Sequence, residues 1–468
     1  MSPTDRAADD ALDPQTRRII AVLVFGGIAG ILDTTVVTIA LHSLSVDLHS
    51  PIHEIQWVST AYLLALVAVI PLAGWLEVRL GGRRIWLIAL GVFVVGSALC
   101  AAAWNPGSLI AFRVLQGLGA GLLSTLMQTI AVQAAAGRST ARVMASISLP
   151  LGIAPVLGPV LGGLILAIAD WRWVFLINVP ICLIGFVAAW RVLPPGRPDG
   201  GSSGPLDLAG LAMLVPGVSL LVFGLTQTVD SVVPSALVGG ALVLGTVLLV
   251  GFVIWAVRRD GRALIRVRLL TRRRIAASAG LMFLLGAFMF GGIFLLPLYW
   301  QIERGQSVLT AALLLMPQGI GSLVARFLVA RTVLRFGSRN TAMVAFVVVA
   351  VATVPFAFAG PDTSPILLAA TLLVRGLGIG MLMVPLTSNA YETLERTDIA
   401  QVAMQTRLLQ QLGGAFGTAS AAVLLQGATV ALGAPAAFRL AFGGFVILGI
   451  CAAAATVWLP RRAPVPTG

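Results

Sequence analysis

Long apolar segments follow one another along nearly the whole chain, from residue 19 to residue 459. A transmembrane helix needs about 20 predominantly apolar residues. Fourteen segments meet this requirement: residues 19–41, 55–76, 85–104, 107–133, 142–168, 173–193, 206–226, 233–257, 275–300, 308–330, 341–359, 365–390, 401–426 and 437–459. The pattern predicts an all-α polytopic membrane protein with fourteen transmembrane helices.

Two motifs occur once in each half of the chain. The loop motif Arg-Leu-Gly-Gly-Arg at residues 79–83 resembles residues 335–339, which lie 256 positions later. The helical motif Gly-Leu-Gly-Ala-Gly at residues 117–121 resembles residues 376–380, which lie 259 positions later. Because both motifs recur at nearly the same distance and on matching segments, we interpret the chain as a duplicated unit of six spans.

The duplication divides the chain into two six-helix bundles and an insert. Residues 19–193 form the N-terminal bundle, and residues 275–459 form the C-terminal bundle. Two extra helices lie between the bundles, within residues 206–257, and a flexible linker rich in Pro, Gly and Ser precedes them at residues 194–205. The remaining parts are two tails and an Arg-rich loop: residues 1–18, 258–274 and 460–468.

Basic residues cluster in alternate connections between the apolar segments. All 31 of them are Arg. The opposite connections contain the acidic residues Asp47, Glu54, Asp170, Asp230 and Asp362. Cytoplasmic loops of membrane proteins carry an excess of Lys and Arg, so we predict that both termini are cytoplasmic. This placement also accounts for the net charge of +13 without a nucleic-acid partner.

Composition excludes a soluble protein and indicates no enzyme. Hydrophobic residues make up 58% of the chain and charged residues 10%, whereas soluble domains carry about 25% charged residues. No phosphate-binding Gly loop followed by Lys and no nucleophile elbow occurs in the sequence. The three Cys lie in separate apolar segments and fit no zinc site. We expect neither a metal nor a cofactor.

Asp33 is the only carboxylate well inside a predicted span. Ionisable residues within the membrane are functional candidates, because a charge there is costly. A carboxylate that alternates between an apolar environment and a cationic partner can load and release a proton. The alternative is a structural hydrogen bond at the wall of a water-exposed cavity.

Arg113 is the candidate partner of Asp33 by depth. Counted from the outer ends of their segments, Asp33 lies roughly 12 Å deep and Arg113 roughly 9 Å deep, at 1.5 Å per residue. Gln116 and Gly117 follow Arg113 about one turn later and continue the same face. The sequence does not show whether the first and fourth segments touch.

Other embedded side chains are candidates for the wall of a substrate cavity. The candidates are Gln116, Trp57, Tyr62, Phe290, Tyr299, Gln301 and Arg375. The aromatic residues equally fit membrane interfaces or the protein core. For Arg375, hydrogen bonding to helix ends is the simpler interpretation.

The fifth segment contains a Gly- and Pro-rich stretch that is unusual for a buried helix. The glycines and prolines of this stretch are Gly152, Pro155, Gly158, Pro159, Gly162 and Gly163. Small residues allow close helix packing in membranes, and neighbouring helices can satisfy backbone groups freed by proline. Gly158 and Gly162 are four residues apart and share one face, which predicts a groove for a partner helix. The alternative is a merely kinked packing helix.

Several of these motifs together resemble the major facilitator superfamily, specifically its fourteen-span drug:proton antiporter group. Residues 109–120 (Leu-Ile-Ala-Phe-Arg-Val-Leu-Gln-Gly-Leu-Gly-Ala) match the span-four motif of the superfamily. Residues 152–163 match the motif associated with antiporters in span five. Residues 32–37, 171–180 and 296–301 resemble signatures of the fourteen-span group.

The resemblance implies two bundles that rock around a central cavity, alternating access, and exchange of external protons for a cytoplasmic solute. It further implies that Asp33 and Arg113 take part in proton coupling. It also identifies a gating loop with the residues Gly74, Arg79, Gly81, Arg83 and Arg84.

The chain departs from the family pattern at the gating loop and in the first span. Val78 stands where the superfamily usually has Asp, and Leu334 is at the equivalent place in the second half. Glu77 precedes position 78 by one residue, so on a helix its side chain points about 100° away from the direction of the usual Asp. Thr38 and His42 replace the usual Asn and Pro of the span-one signature. These changes affect the energetics of the gate rather than the fold.

The leading hypothesis is a bacterial inner-membrane, proton-coupled exporter of amphipathic small molecules that acts as a monomer in the lipid bilayer. Its partners are then a small-molecule substrate and protons. One alternative is a proton-coupled exporter of a dedicated metabolite, such as an amino acid, sugar or lipid. The other is a membrane scaffold or sensor that transports nothing.

Overall fold

The computed structural model describes residues 13–134, 146–147, 157–194, 207–227, 233–259, 265–360, 362–391 and 396–460. In these ranges all regular secondary structure is helical. Twelve helical stretches in these ranges, from 19 to 51 residues long, have the length and composition to cross a membrane, and three of them join two consecutive α-helices. The expectation of an all-α polytopic membrane protein is therefore confirmed.

The count of fourteen spans stays a prediction. The tenth and eleventh predicted segments correspond to the two helical limbs of Val308–Phe358, which are separated by non-helical backbone angles at Gly337 (φ 79°, ψ 161°). Of the fifth predicted segment, the structure describes the short helix Leu157–Ile168. Residues 148–156 lie outside the described residues.

The N-terminal half packs around its fourth long helix from several sides. Its helices are α1 (Pro14–Asp47), α2 (Ile52–Ile55), α3 (Trp57–Leu80), α4 (Gly82–Ala101), α5 (Pro106–Ala134), α6 (Leu157–Ile168), α7 (Arg172–Leu176) and α8 (Asn178–Val192). Helix α5 packs against α1, α3 and α4, while α8 packs against α1 and α4. Trp86, Phe93 and Leu126 are fully buried in the resulting core.

The insert consists of two helices that pack against each other. They are α9 (Leu208–Thr226) and α10 (Ser235–Arg258). Asp207 caps α9 by accepting a hydrogen bond from the amide of Gly210 (2.9 Å), and the indole of Trp255 on α10 donates to the same carboxylate (2.9 Å). A buried carboxylate thus connects the two inserted helices. Helix α9 also contacts α3.

The C-terminal half contains the remaining long helices. They are α11 (Arg273–Leu298), α12 (Val308–Phe358), α13 (Pro365–Gly380), α14 (Met383–Tyr391), α15 (Arg396–Leu432) and α16 (Ala434–Ala455). A π-helical turn, Tyr299–Glu303, follows α11. Helix α12 packs against α13 and α16, and α11 packs against α15. The inserted helix α9 touches α15 as well as α3, so it lies across both halves.

Two glycines at equivalent positions of the repeated loop motif have the same unusual backbone conformation. Gly81, between α3 and α4, has a φ of 83°, and Gly337, inside α12, has a φ of 79°. Side chains other than glycine rarely adopt such positive φ angles. Gly337 therefore bends α12 at the position that corresponds to the end of α3. The tenth and eleventh predicted segments lie on either side of this bend.

The two halves meet along the first three helices of the N-terminal half. Helix α1 contacts α11 and α12, and both α2 and α3 contact α15. The Gln301 amide donates a hydrogen bond to the Ile39 carbonyl across this boundary (3.1 Å). These contacts place residue 33 of α1 and its neighbours close to the C-terminal half.

Candidate functional site

Asp33 and Arg113 form an ion pair inside the N-terminal half. Asp33 lies on α1 and Arg113 on α5, and the guanidinium NH1 contacts the carboxylate Oδ2. Each residue is 1% exposed. The structure thus brings together the two side chains whose similar depths suggested a contact.

The second oxygen of the carboxylate accepts two further hydrogen bonds. Gln116 Nε2 and Asn178 Nδ2 both donate to Asp33 Oδ1, each at 2.9 Å. Gln116 is itself fixed, since Nε2 also donates to Ser97 Oγ (2.7 Å) and Oε1 accepts from Arg113 (2.6 Å). Every polar neighbour of the carboxylate is a donor. Both oxygens of the Asp33 carboxylate thus have hydrogen-bond partners inside the bundle.

The Arg113 side chain is held by a hydrogen bond to a backbone carbonyl and by two aromatic rings. Its Nε donates to the Val58 carbonyl (2.9 Å). The guanidinium carbon lies 4.0 Å from the ring centre of Tyr62 and 5.7 Å from that of Phe175. The Tyr62 hydroxyl in turn donates to the Gly30 carbonyl (2.9 Å). The rings shield the cation from lipid and water, and cation–π attraction strengthens in such a desolvated place.

Asn178 and Ser97 belong to this site although sequence reasoning did not select them. Asn178 is the first residue of α8 and is 2% exposed, and Ser97 lies on α4 with no exposure. The available signal was an uncharged polar residue deep in an apolar segment. Such residues hydrogen-bond between helices in membranes, but their partner cannot be read from the sequence. We call Asp33, Arg113, Gln116, Asn178 and Ser97 the charge cluster.

We expect Asn178→Ala to destabilise the fold by about 1.5–3 kcal/mol, the range for a lost hydrogen bond to a charged group. Asn340→Ala is the matched control, because Asn340 is an exposed helical residue and surface substitutions usually stay within about 0.5 kcal/mol. Thermal unfolding of the purified proteins in one detergent measures both. Equal midpoints for the two variants would mean that Asn178 does not support the carboxylate.

A small cavity lies beside the charge cluster, between the two halves. Its lining residues are Thr34, Thr38, Ser59, Tyr62, Leu63, Arg113, Phe290, Ile293, Phe294 and Thr418. The N-terminal half contributes mainly hydroxyl groups, whereas α11 contributes aromatic and aliphatic side chains. The volume is about 10 Å³, enough for about one water molecule. Ligand pockets usually measure about 300–1,000 Å³, so this cavity, as its described residues line it, is too small for a drug-sized molecule.

Two of the residues proposed from the sequence for the cavity wall, Tyr62 and Phe290, line this cavity. The other proposed wall residues lie elsewhere in this conformation. Trp57 packs against Phe223 of the inserted helix α9, with ring centres 6.2 Å apart. Tyr299 lies in an aromatic cluster of the C-terminal half, within 5.7 Å of the rings of Phe356, Phe438 and Phe442. Gln116 belongs to the charge cluster, and Gln301 bridges the two halves.

Arg375 is buried within the C-terminal half and is also absent from the cavity wall. Its guanidinium donates to Gln318 Oε1 (2.7 Å), to the Phe288 carbonyl (3.1 Å) and to Thr353 Oγ1 (3.3 Å). These partners lie on α11 and on both limbs of α12, so Arg375 ties three helical segments together. The structural interpretation of this residue fits the contacts better than a role in the cavity.

The glycines of the fifth segment lie where α6 crosses α1 and α12. A Cβ atom built at Gly158 would lie 1.8 Å from Thr35 Oγ1, and one at Gly162 would lie 2.5 Å from Ile39 Cγ2. The shared face of these two glycines therefore packs on α1. A Cβ at Gly163 would lie 2.6 Å from the Cβ of Ala312 on α12. Helix α6 thus contacts both halves at close range.

The rest of the antiporter motif is described only in part. Pro159 is half-buried on α6. Gly152 and Pro155 lie outside the described residues.

The predicted gating loop connects α3 and α4 without an acidic residue at position 78. Gly81 supplies the turn, and a Cβ at Gly74 would meet nothing within 4 Å. The Arg79 guanidinium lies 4.3 Å from the Trp75 ring centre. Arg83 donates to the Trp190 carbonyl on α8, and Arg84 is exposed.

The side chains that replace the usual loop acids point outward. Val78 is 36% exposed and Leu334 is 71% exposed, whereas Glu77 is buried at 4%. The acidic side chain of Glu77 thus precedes position 78 by one residue and lies on the buried side of α3.

Within the described part of the chain, no cluster of three or more His, Cys, Asp or Glu residues could hold a metal ion.

Two packed halves, a cavity between them and a buried ion pair beside that cavity are features of a polytopic membrane transporter. The family model of the Major Facilitator Superfamily matches residues 23–418. The chain belongs to this superfamily. It is a multi-pass membrane protein and a transporter rather than an enzyme, as are its relatives.

Its relatives include transport proteins of several bacteria. The chain is 34% identical to the multidrug resistance protein B homolog of Mycobacterium tuberculosis over 424 residues, covering 90% of this chain and 78% of that protein. It is 28% identical to the probable transport protein HsrA of Haemophilus influenzae over 396 residues, covering 84% of each chain. A putative multidrug resistance protein MdtD of Serratia proteamaculans is 29% identical over 337 residues, covering 72% of this chain and 69% of that protein.

Solved structures share the fold at low sequence identity. A D-xylose-proton symporter superposes with a TM-score of 0.70 at 16% identity, covering 95% of this chain and 98% of that one. An auto-inhibited POT family peptide transporter gives the same TM-score at 18% identity, covering 96% of this chain and 98% of that one. The chain therefore shares its overall fold with these two transporters.

Proposed function

We propose that the protein exports amphipathic small molecules from the bacterial cytoplasm in exchange for protons. One observation carries the proposal: a fully buried carboxylate, Asp33, is paired with Arg113 directly beside the cavity between the halves. The relative from Mycobacterium tuberculosis is named for multidrug resistance, which supports the choice of cargo. The proposed location is the inner membrane, with both termini in the cytoplasm.

The ion pair offers a means of coupling a proton to a conformational change. A proton on Asp33 removes the charge that holds Arg113, and the donors of Gln116 and Asn178 then lose their anionic acceptor. Separating a buried ion pair without compensation costs about 3–5 kcal/mol. Protonation therefore favours a different arrangement of α1 and α5, and release of the proton restores the present one. Differential stability of two states is what coupling requires.

The cavity must enlarge for cargo to bind. In this conformation the halves are joined by the Gln301–Ile39 hydrogen bond and by the close approach of Gly163 to Ala312. Both contacts involve residues near the predicted outer ends of their helices. Alternating access then means that these contacts separate when the cavity opens outward, while the halves rock about the site between them.

The wall of the cavity suits a molecule with a polar and an apolar side. Thr34, Thr38 and Ser59 offer hydroxyl groups, while Phe290 and Phe294 offer aromatic surface. Asp33 is already neutralised by Arg113, which leaves little negative charge for a dication. We propose a neutral or weakly charged amphipathic cargo, energy from the proton gradient without a cofactor, and a monomeric transporter.

An accumulation screen tests the function. Dyes and antibiotics are added to an efflux-deficient host that expresses the protein, and cell-associated compound is measured with and without a protonophore. We expect lower accumulation of at least one amphipathic compound, and a return to the level of the empty host when the protonophore is present.

Other outcomes of the screen would point to the alternatives. Efflux of a single amino acid, sugar or lipid, with no effect on any drug, would indicate a dedicated metabolite exporter. Absence of flux for every compound after reconstitution would indicate a protein that does not transport. Efflux that survives the protonophore and a collapsed pH gradient would contradict proton coupling.

A further inference from the structure

A long apolar groove runs along the membrane-facing side of α11. It is lined by Arg273, Ala276, Ala277, Gly280, Leu281, Leu284, Ala455 and Trp458, and its volume is about 570 Å³. The six residues of α11 recur every three or four positions, so they form one face of the helix. Ala455 and Trp458 form the opposite wall near one end, and Trp458 belongs to the short helical turn Thr456–Trp458 that follows α16.

The groove is as long as one leaflet of a bilayer is thick. Eleven residues separate Arg273 from Leu284, which corresponds to about 16 Å along a helix. The hydrocarbon core of a bilayer is about 30 Å thick, so one leaflet measures about 15 Å. An acyl chain that starts at the level of Arg273 would end near Leu284.

The polar end of the groove is strongly basic. Arg268, Arg272 and Arg273 are exposed at or just before the start of α11. The sequence has no Asp or Glu between residues 265 and 302. Trp458 is 65% exposed at the same end, and Trp is enriched at the membrane–water interface. Positive charge and an interfacial aromatic residue therefore mark the headgroup level.

The floor of the groove is open because residue 280 is glycine. A Cβ atom built at Gly280 would meet nothing within 4 Å. Ala276 and Ala277 keep the adjoining turn narrow. A larger side chain at position 280 would fill the groove without clashing with the protein.

We propose that this groove is a binding site for an anionic phospholipid. The phosphate contacts Arg273, and one acyl chain lies along Ala277, Gly280 and Leu284. A soluble anion does not fit the proposal, since the wall beyond Arg273 is apolar along its whole length. Basic pockets at the ends of transmembrane helices attract anionic headgroups in this way. The proposal is independent of the cargo and of proton coupling.

Native mass spectrometry of the purified full-length protein tests the site. The probes are phosphatidylglycerol and phosphatidylethanolamine with identical acyl chains, titrated into the same detergent. We expect tighter retention of phosphatidylglycerol by the wild type. Arg273→Gln should weaken that binding about five-fold, the effect of one basic group near a charged lipid surface. Gly280→Leu should abolish it by filling the groove.

Two variants serve as matched controls. Arg331→Gln removes another exposed Arg that lies outside the groove, and Gly239→Leu enlarges another exposed glycine with nothing within 4 Å of its Cβ position. Both should bind phosphatidylglycerol like the wild type. Equal retention of the two lipids would overturn the proposal. So would unchanged binding in Arg273→Gln or Gly280→Leu, or equal loss in the controls.

Discussion

We expect Asp33→Asn to abolish efflux driven by a pH gradient, to the level of vesicles without protein. Asn has nearly the shape of Asp but cannot titrate between pH 5 and 8. The proton would then have no binding group in the charge cluster. The measurement is uphill transport, in proteoliposomes with an imposed pH gradient, of a compound identified by the accumulation screen.

The same substitution also affects stability, which must be separated from coupling. Asn leaves Arg113 buried without a counter-charge, and removing one partner of a buried ion pair costs about 3–5 kcal/mol. Both amide donors, Gln116 and Asn178, would further face a weaker acceptor. We therefore expect a lower thermal midpoint for Asp33→Asn than for the wild type.

A double variant distinguishes the two effects. Asp33→Asn combined with Arg113→Gln removes both charges, so it should regain much of the lost stability. It should still fail to transport against a gradient, because no titratable group returns. Downhill exchange of the compound serves as the check that the cavity remains functional. Full gradient-driven efflux in either variant would contradict the assignment of Asp33 as the proton carrier.

The sequence contained the main elements of the charge cluster but not their connections. Asp33 was identifiable because it is a lone carboxylate in an apolar segment, and Arg113 because its depth matches. Which helices touch is a property of packing, so the contributions of Ser97 and Asn178 became visible only in the structure. The hydrogen bonds from Gln116 and Asn178 show that amide groups supplement the ion pair with Arg113 at this carboxylate.

The cavity wall was harder to predict than the ion pair. Tyr62 and Phe290 do line the cavity, but Trp57 and Tyr299 pack against helices on other sides. In a protein surrounded by lipid, apolar residues occur on every face of a helix. Hydrophobic periodicity therefore carries little information about which aromatic residue faces the centre. The bend at Gly337 was predictable in kind, since the same motif ends α3 at Gly81.

The second large effect is expected when a glycine of α6 is replaced, because these glycines pack closely against α1. We expect Gly158→Ala to lower the free energy of unfolding by about 1–3 kcal/mol, the usual effect of overpacking. The new Cβ would lie 1.8 Å from Thr35 Oγ1 and 2.6 Å from Thr35 Cβ. Rotation of the Thr35 side chain does not move its Cβ, so α1 and α6 must move apart. Because Thr35 is two residues from Asp33, transport should fall as well.

A control and a compensating change make this prediction specific. Gly91→Ala on α4 adds the same methyl group where nothing lies within 4 Å, and it should be neutral or stabilising, since Ala favours a helix over Gly by about 1 kcal/mol. Gly158→Ala with Thr35→Gly moves the small residue to the other helix and should recover part of the loss, as expected for residues in contact. Thermal unfolding and efflux are measured for each variant. If Gly158→Ala behaves like Gly91→Ala, α6 does not depend on this close approach to α1. If instead the double variant recovers stability and transport together, the spacing of these two helices controls the geometry around Asp33.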